Sequence, residues 1–103
     1  MQLTAKKFVS VAIINDLKEA YGDRFELLSS QSRSVLLVCF SQFRLLRQMQ
    51  VSGSSWLLMR ESVNSVPIVC WLGQEELQAR VMECCCLDDS AIAHLIQSLA
   101  ENL

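Results

Sequence analysis

Three cysteines in succession, Cys84, Cys85 and Cys86, stand just ahead of Asp88, Asp89 and Ser90 in the stretch "MECCCLDDSA", with His94 a little further on. Thiols, carboxylates and an imidazole are the raw material of a metal site, a redox switch or a Cys–His nucleophile. Each of these needs a particular spacing. A structural zinc site uses Cys-x-x-Cys and a second ligand pair, and no such spacing occurs here. A reactive thiol needs basic neighbours to lower its pKa, and no basic cluster adjoins Cys84 or Cys86. A Cys–His nucleophile needs the imidazole beside the thiol. His94 is the only histidine, and on a C-terminal helix it falls about 160° around the axis from Ile96, off the apolar stripe. The three glycines stand alone at 22, 53 and 73 and form no phosphate-binding loop. The carboxylate pairs Glu75–Glu76 and Asp88–Asp89 fall at a turn and a helix cap. The expectation is therefore no catalytic residue, no metal, no cofactor and no enzyme.

Composition narrows the class further. The chain has 103 residues, 51% hydrophobic and 19% charged, which suits one folded domain over residues 1–103 rather than a disordered segment. Nine basic and eleven acidic residues give a net charge of −2, and the basic ones are scattered, so no nucleic-acid partner is expected. The N-terminal apolar stretch is interrupted by Ser10, Asn15 and Asp16, so it lacks the long apolar region of a signal peptide. No run approaches the roughly eighteen apolar residues of a membrane span. The five cysteines are an odd number, which points to reduced thiols in a cytoplasmic or nuclear compartment rather than to a disulfide framework.

The elements that would position these residues are read from periodicity. Residues 5–21 predict an amphipathic helix, with Thr4 as a cap, Val9, Ile13, Leu17 and Ala20 along one face, and Gly22 as its stop. Between 24 and 86, six short apolar runs alternate with polar clusters: "RFELLS", "SVLLVCF", "FRLLRQMQV", "SWLLMRES", "VPIVCWL" and "LQARVMECCC". Their spacing predicts an antiparallel meander. The last run is open to a helical reading as well, because Glu, Gln, Ala, Arg and Met favour helices. As a strand it turns Cys85 to the core and Cys84 and Cys86 to the other face. Residues 88–103 predict a second helix, with Ile92, Leu95, Ile96, Leu99 and Leu103 on one side and Asp88, Asp89 or Ser90 as its cap. The class that results is α+β: an N-terminal helix, an antiparallel sheet of six to seven strands, partly open as a barrel or fully open, and a C-terminal helix. Trp56 and Trp71 either both belong to the core, or one of them joins Val69 or Leu57 in an exposed patch.

The last 38 residues, from Val66, resemble the closing unit of the pleckstrin-homology superfold, in particular of phosphotyrosine-binding domains. The matching parts are the apolar strand Val66 to Leu72, the turn Gly73 to Glu76, the strand Ala79 to Cys84, the acidic cap Asp88–Asp89 and the helix Ala91 to Leu99. The resemblance implies an adaptor-like interaction module. A partner peptide would add as a strand beside Val66, Ile68, Cys70 and Leu72, with His94 and Ser98 on the helix flank shaping its pockets. The rival reading is a non-catalytic assembly or chaperone-like subunit that forms a homodimer or heteromer through its sheet edge.

Overall fold

The serines that punctuate the sequence begin helices. In the computed structural model, which describes residues 2–103 and the side chains from residue 9 onward, there are five α-helices: α1 (Gln2–Tyr21), α2 (Ser30–Gln48), α3 (Ser55–Ser65), α4 (Glu75–Glu83) and α5 (Asp89–Glu101). Short 3-10 turns cover Ile68–Trp71 and Cys84–Cys86. Ser29 Oγ accepts the backbone N–H of Ser32 at 3.1 Å and caps α2. Ser54 Oγ accepts that of Leu57 at 3.2 Å for α3, and Asp88 Oδ1 that of Ala91 at 2.8 Å for α5. Each bond satisfies one of the amide donors that a helix start leaves without a partner.

The two terminal helices follow the periodicity, although α1 begins before Thr4, which lies inside it rather than at its cap. The α+β class does not hold, and neither the PH-like resemblance nor the antiparallel sheet survives, because no strand occurs among the described residues. The runs 34–40 and 43–51 are largely one helix. Ser41 and Gln42 between them carry no helix-breaking Gly or Pro, and the buried Val35, Leu36, Cys39, Phe40 and Phe43 recur at helical spacing. "SWLLMRES" opens α3, which buries Leu58, Met59, Ser62 and Val63. In α4 the helix formers outweigh the alternation, and Leu77, Val81 and then Cys84 turn inward. "RFELLS" is a loop in which Phe25, buried and at φ 58°, takes the left-handed conformation.

Helix α2 packs on both α3 and α5, while the Cys84–Cys86 turn touches α1, α3 and α4. One core joins them, with Leu36 and Phe40 of α2, Met59 of α3, Val81 of α4, Leu87, and Leu99 of α5 all buried. The Cα radius of gyration is 13.1 Å, against about 13 Å for a compact chain of 100 residues. Two arginines of α2 tie loops to this core. Arg33 Nη1 donates to the carbonyls of Phe25 at 3.2 Å and Leu28 at 2.7 Å. Arg47 Nη1 donates to Leu87 O at 2.7 Å, and its Nη2 to Cys85 O at 3.0 Å and Ser55 Oγ at 3.2 Å. The same guanidinium lies 4.2 Å from the centre of the Phe43 ring. No helix among the described residues is long and apolar enough to cross a membrane.

Helix α2 ends in a conformation that its sequence does not favour. After Met49 the chain turns through Gln50 at φ 55°, and Val51 N–H donates back to Leu46 O at 3.2 Å. Glycine usually fills such a position. The left-handed conformation costs a side-chain residue about 1–2 kcal/mol, and glycine loses roughly 0.5–1 kcal/mol more backbone entropy on folding. Gln50 is exposed, so Gln50→Gly is expected to stabilise the fold by about 0.5–1 kcal/mol. Urea denaturation checks this as a higher midpoint at unchanged slope.

Candidate functional site

The cysteine run does not alternate between two faces. In the 3-10 turn Cys84 and Cys85 are both buried and Cys86 is exposed. Cys84 Sγ donates to the Arg80 carbonyl at 3.3 Å, the bond open to a hydroxyl or thiol looking back along its own helix. Burial pushes the thiols of Cys84 and Cys39 up to about 12. Burial, then the neighbouring Cys86, takes Cys85 to about 11. Thiols held in the neutral form are poor nucleophiles and poor metal ligands. Among the described residues no three of His, Cys, Asp and Glu converge on a point that could hold a metal.

His94 and Ser98 come together in a shallow polar depression of about 470 Å³ with Arg24, Gln97, Glu101 and Asn102. No cysteine lines it. Its polar groups bond one another: Gln97 Nε2 donates to Glu101 Oε1 at 3.1 Å, and Asn102 Nδ2 to Ser98 O at 2.7 Å. None of Val66, Ile68, Cys70 and Leu72 reaches this depression. The groove expected between an edge strand and the last helix is therefore not formed, and strand addition has no edge among the described residues.

Val66 to Leu72 instead build an apolar knuckle at the end of α3. Val66 takes the extended conformation that a following proline favours, and Pro67, with no N–H, ends the helix. Cys70 N–H donates to Pro67 O at 2.9 Å and starts the 3-10 turn. Two side chains face inward: Val66 is buried, and Trp71 is buried with its indole N–H donating to Val63 O at 3.0 Å. Three face outward, with Ile68 81% exposed, Val69 66% and Leu72 69%. Cys70 is half-buried. Ile68 and Leu72 are thus both exposed. Val69 joins them, whereas a strand would have set it on the opposite side with Trp71.

Beside the knuckle, α2 and α3 leave a groove of about 510 Å³ whose apolar wall includes Leu46, Val51, Leu57 and Leu58. Its lining reaches Asn64 and Ser65, directly before the knuckle. On α2, Val38, Leu45 and Met49 are exposed outside the groove's lining. These three fall within about 40° around the helix axis. Trp56 is half-exposed at the start of α3, with Arg60 over its ring at 5.3 Å. A sheet reading hides this surface, because it places Val38 on a different strand from Leu45 and Met49.

The chain matches no protein-family model, no curated protein and no solved structure. The pleckstrin-homology resemblance thus has no support from relatives, and the surface must be judged on its own chemistry.

The buried thiols set a pH limit on the fold. Their folded pKa lies above the ordinary 9.0, so their contribution is complete below pH 9 and is lost as pH rises toward 12. Over that range the unfolded state has released the proton that the folded state keeps, and each thiol costs up to about 1.4 kcal/mol of stability per pH unit. Tyr21, also raised, chiefly by burial, acts in the same direction. Cys39→Ala is expected to flatten the alkaline fall in stability between pH 9 and 11 relative to the parent chain. Urea titrations at several pH values check this, and an unchanged slope refutes it.

Proposed function

We propose that this chain is a non-catalytic protein-interaction module that presents the Ile68–Val69–Leu72 knuckle, with the α2–α3 groove beside it, to a protein partner. The observation that carries the reading is the exposure of three large aliphatic side chains on a turn locked from beneath by Trp71. Water contact with such a surface is unfavourable, by about 25 cal/mol for each Å² of apolar area left uncovered. Larger contiguous patches of this kind mark interaction sites. Because Pro67 and the Trp71 indole already fix the turn, little conformational entropy remains to be lost on docking.

A protein partner fits better than a lipid surface. The segment Val66–Gly73 carries no charge, and the nearest charges along the chain after it are the exposed Glu75 and Glu76. Anionic lipid would repel both. A cytoplasmic or nuclear setting suits the odd number of cysteines and the buried, neutral thiols of Cys39 and Cys84. The polar depression at His94 and Ser98 lies outside the proposed surface.

Photo-crosslinking of the whole chain in its own cells tests the reading. A photoreactive residue at position 68 or 57 is expected to give discrete protein adducts, and one at the exposed Gln97 to give none. Adducts with lipid, or equal labelling from all three positions, would contradict it.

A further inference from the structure

The groove between α2 and α3 carries a charge at its centre. On α3, Leu57, Leu58, Glu61, Asn64 and Ser65 all line it, at the spacings of three and four that make neighbours on a helix surface. Glu61 is the middle of that stripe, one turn past the two leucines and one turn before Asn64 and Ser65. It is exposed and makes no ion pair among the described residues. Among those residues it is also the one charged side chain in the lining. The nearby arginines are engaged elsewhere. Arg60 stacks over Trp56 and, as the immediate neighbour of Glu61, leaves the helix on a different side. Arg44 pairs with Asp89 at 3.3 Å, and Arg47 is held by the carbonyls of Cys85 and Leu87.

A carboxylate set among Leu46, Val51, Leu57 and Leu58 decides what can cover it. A purely aliphatic occupant would strip water from Glu61 and give it no partner, which works against the burial of the leucines. A lysine or arginine meets both demands, since its aliphatic stem covers the leucines while its cationic head reaches the carboxylate. The same reasoning settles the occupant's backbone. No strand edge occurs among the described residues, so an extended segment would cover its amides without giving them acceptors, whereas a helix satisfies its own. The α3 stripe from 57 to 65 runs about 12 Å, a little over two turns, the length over which a docked helix presents its anchors. We infer that the occupant of this groove is an amphipathic helix of a partner protein, with aliphatic anchors and a lysine or arginine placed among them against Glu61. This inference rests on the interaction reading above and names the chemistry of its partner. A second copy of the chain seated by its knuckle does not supply that cation, because Val66–Gly73 is uncharged and Glu75 and Glu76 follow it.

Selection of phage-displayed random peptides on the whole purified chain tests the inference. Peptides of about sixteen residues are long enough to become helical on docking. Leu57 is half-exposed, so Leu57→Glu should fold as the parent does and mark which peptides use the groove. Peptides lost on that change are expected to carry aliphatic residues at helical spacing with a lysine or arginine among them, and to gain helical circular dichroism when bound. Glu61→Lys should keep the parent's own dichroism and weaken such a peptide about tenfold or more, because attraction becomes repulsion. Exchanging the peptide's cation for glutamate should weaken binding to the parent chain and restore binding to the Glu61→Lys chain to within a few-fold of the original pair. That reciprocal recovery separates contact with Glu61 from a general loss of fold. Groove peptides that are acidic or uncharged, that bind in an extended form or that ignore Glu61→Lys overturn the inference, as does a library yielding no peptide sensitive to Leu57→Glu. A groove already closed by a second copy, read in sedimentation as a dimer that Leu57→Glu dissociates, overturns it too. In each of these cases discrete protein adducts from position 68 or 57 leave the interaction module standing. Where those adducts are absent as well, both fall.

Discussion

The guanidinium of Arg47 joins the parts of this molecule that the chain alone leaves apart. It donates to the carbonyls of Cys85 and Leu87 and to the Ser55 hydroxyl while resting on the Phe43 ring. A 3-10 turn between two helices leaves carbonyls without intrahelical partners, and a carbonyl packed away from water needs a donor. Arg47 supplies donors from α2, which packs on both α3 and α5. Because the turn itself touches α1, α3 and α4, a single side chain connects α2 to the place where the others meet. Among the described residues its charge is met by carbonyl dipoles and an aromatic face rather than by a carboxylate. A planar fork of five donors can do this, and a lysine ammonium cannot cover the same spread of acceptors.

The proposed interaction surface depends on the same junction. Helix α3 is fixed at its start by the Ser54 cap and the Arg47–Ser55 contact, and along its length by the Cys84–Cys86 turn. Its far end is where Pro67 stops the helix and Trp71 folds back to bond Val63. The knuckle is therefore a rigid projection from a braced helix. Its outward side chains gain nothing within the monomer, so their exposure is a cost to the isolated chain that docking would remove. The buried cysteines belong to the bracing: Cys84 and Cys85 fill the space between the helices, and only Cys86 of the three meets solvent.

How much of this was legible in the sequence depends on which residues carried a period long enough to read. The helices at the two ends, with spacings such as Ile92, Leu95 and Leu99, were clear, and so was Asp88 as a possible cap. The middle was not, for two physical reasons. Ser29 and Ser54 lie in polar clusters that serve as β-turns or helix caps equally well, and which use applies is set by the amides that follow. Short apolar runs such as "SVLLVCF" satisfy a buried strand and a buried helix alike, and only their continuation through Ser41 and Gln42 to Phe43 reveals the helical spacing. Of the expected contact residues, Ile68 and Leu72 are where a partner could touch them, Val66 is an inner anchor, Cys70 is half-covered, and His94 with Ser98 faces elsewhere. The role of Arg47 had no local signature. Nothing within "FRLLRQMQV" marks it, and its carbonyl acceptors lie about forty residues away.

Native-state hydrogen exchange of the Arg47→Met chain tests most directly whether the Cys84–Leu87 turn is held as described. Methionine keeps an apolar stem over Phe43 but donates nothing, leaving carbonyls of Cys85 and Leu87 without their donor. Each such loss costs roughly 1–3 kcal/mol. Protection is expected to fall first at the Leu87 amide, which bonds Cys84 O at 3.0 Å, and in the first turns of α3 and α5, while the middle of α2 exchanges only by global unfolding. A chain that retains the parent's protection at Leu87, or loses it evenly throughout, would contradict the account.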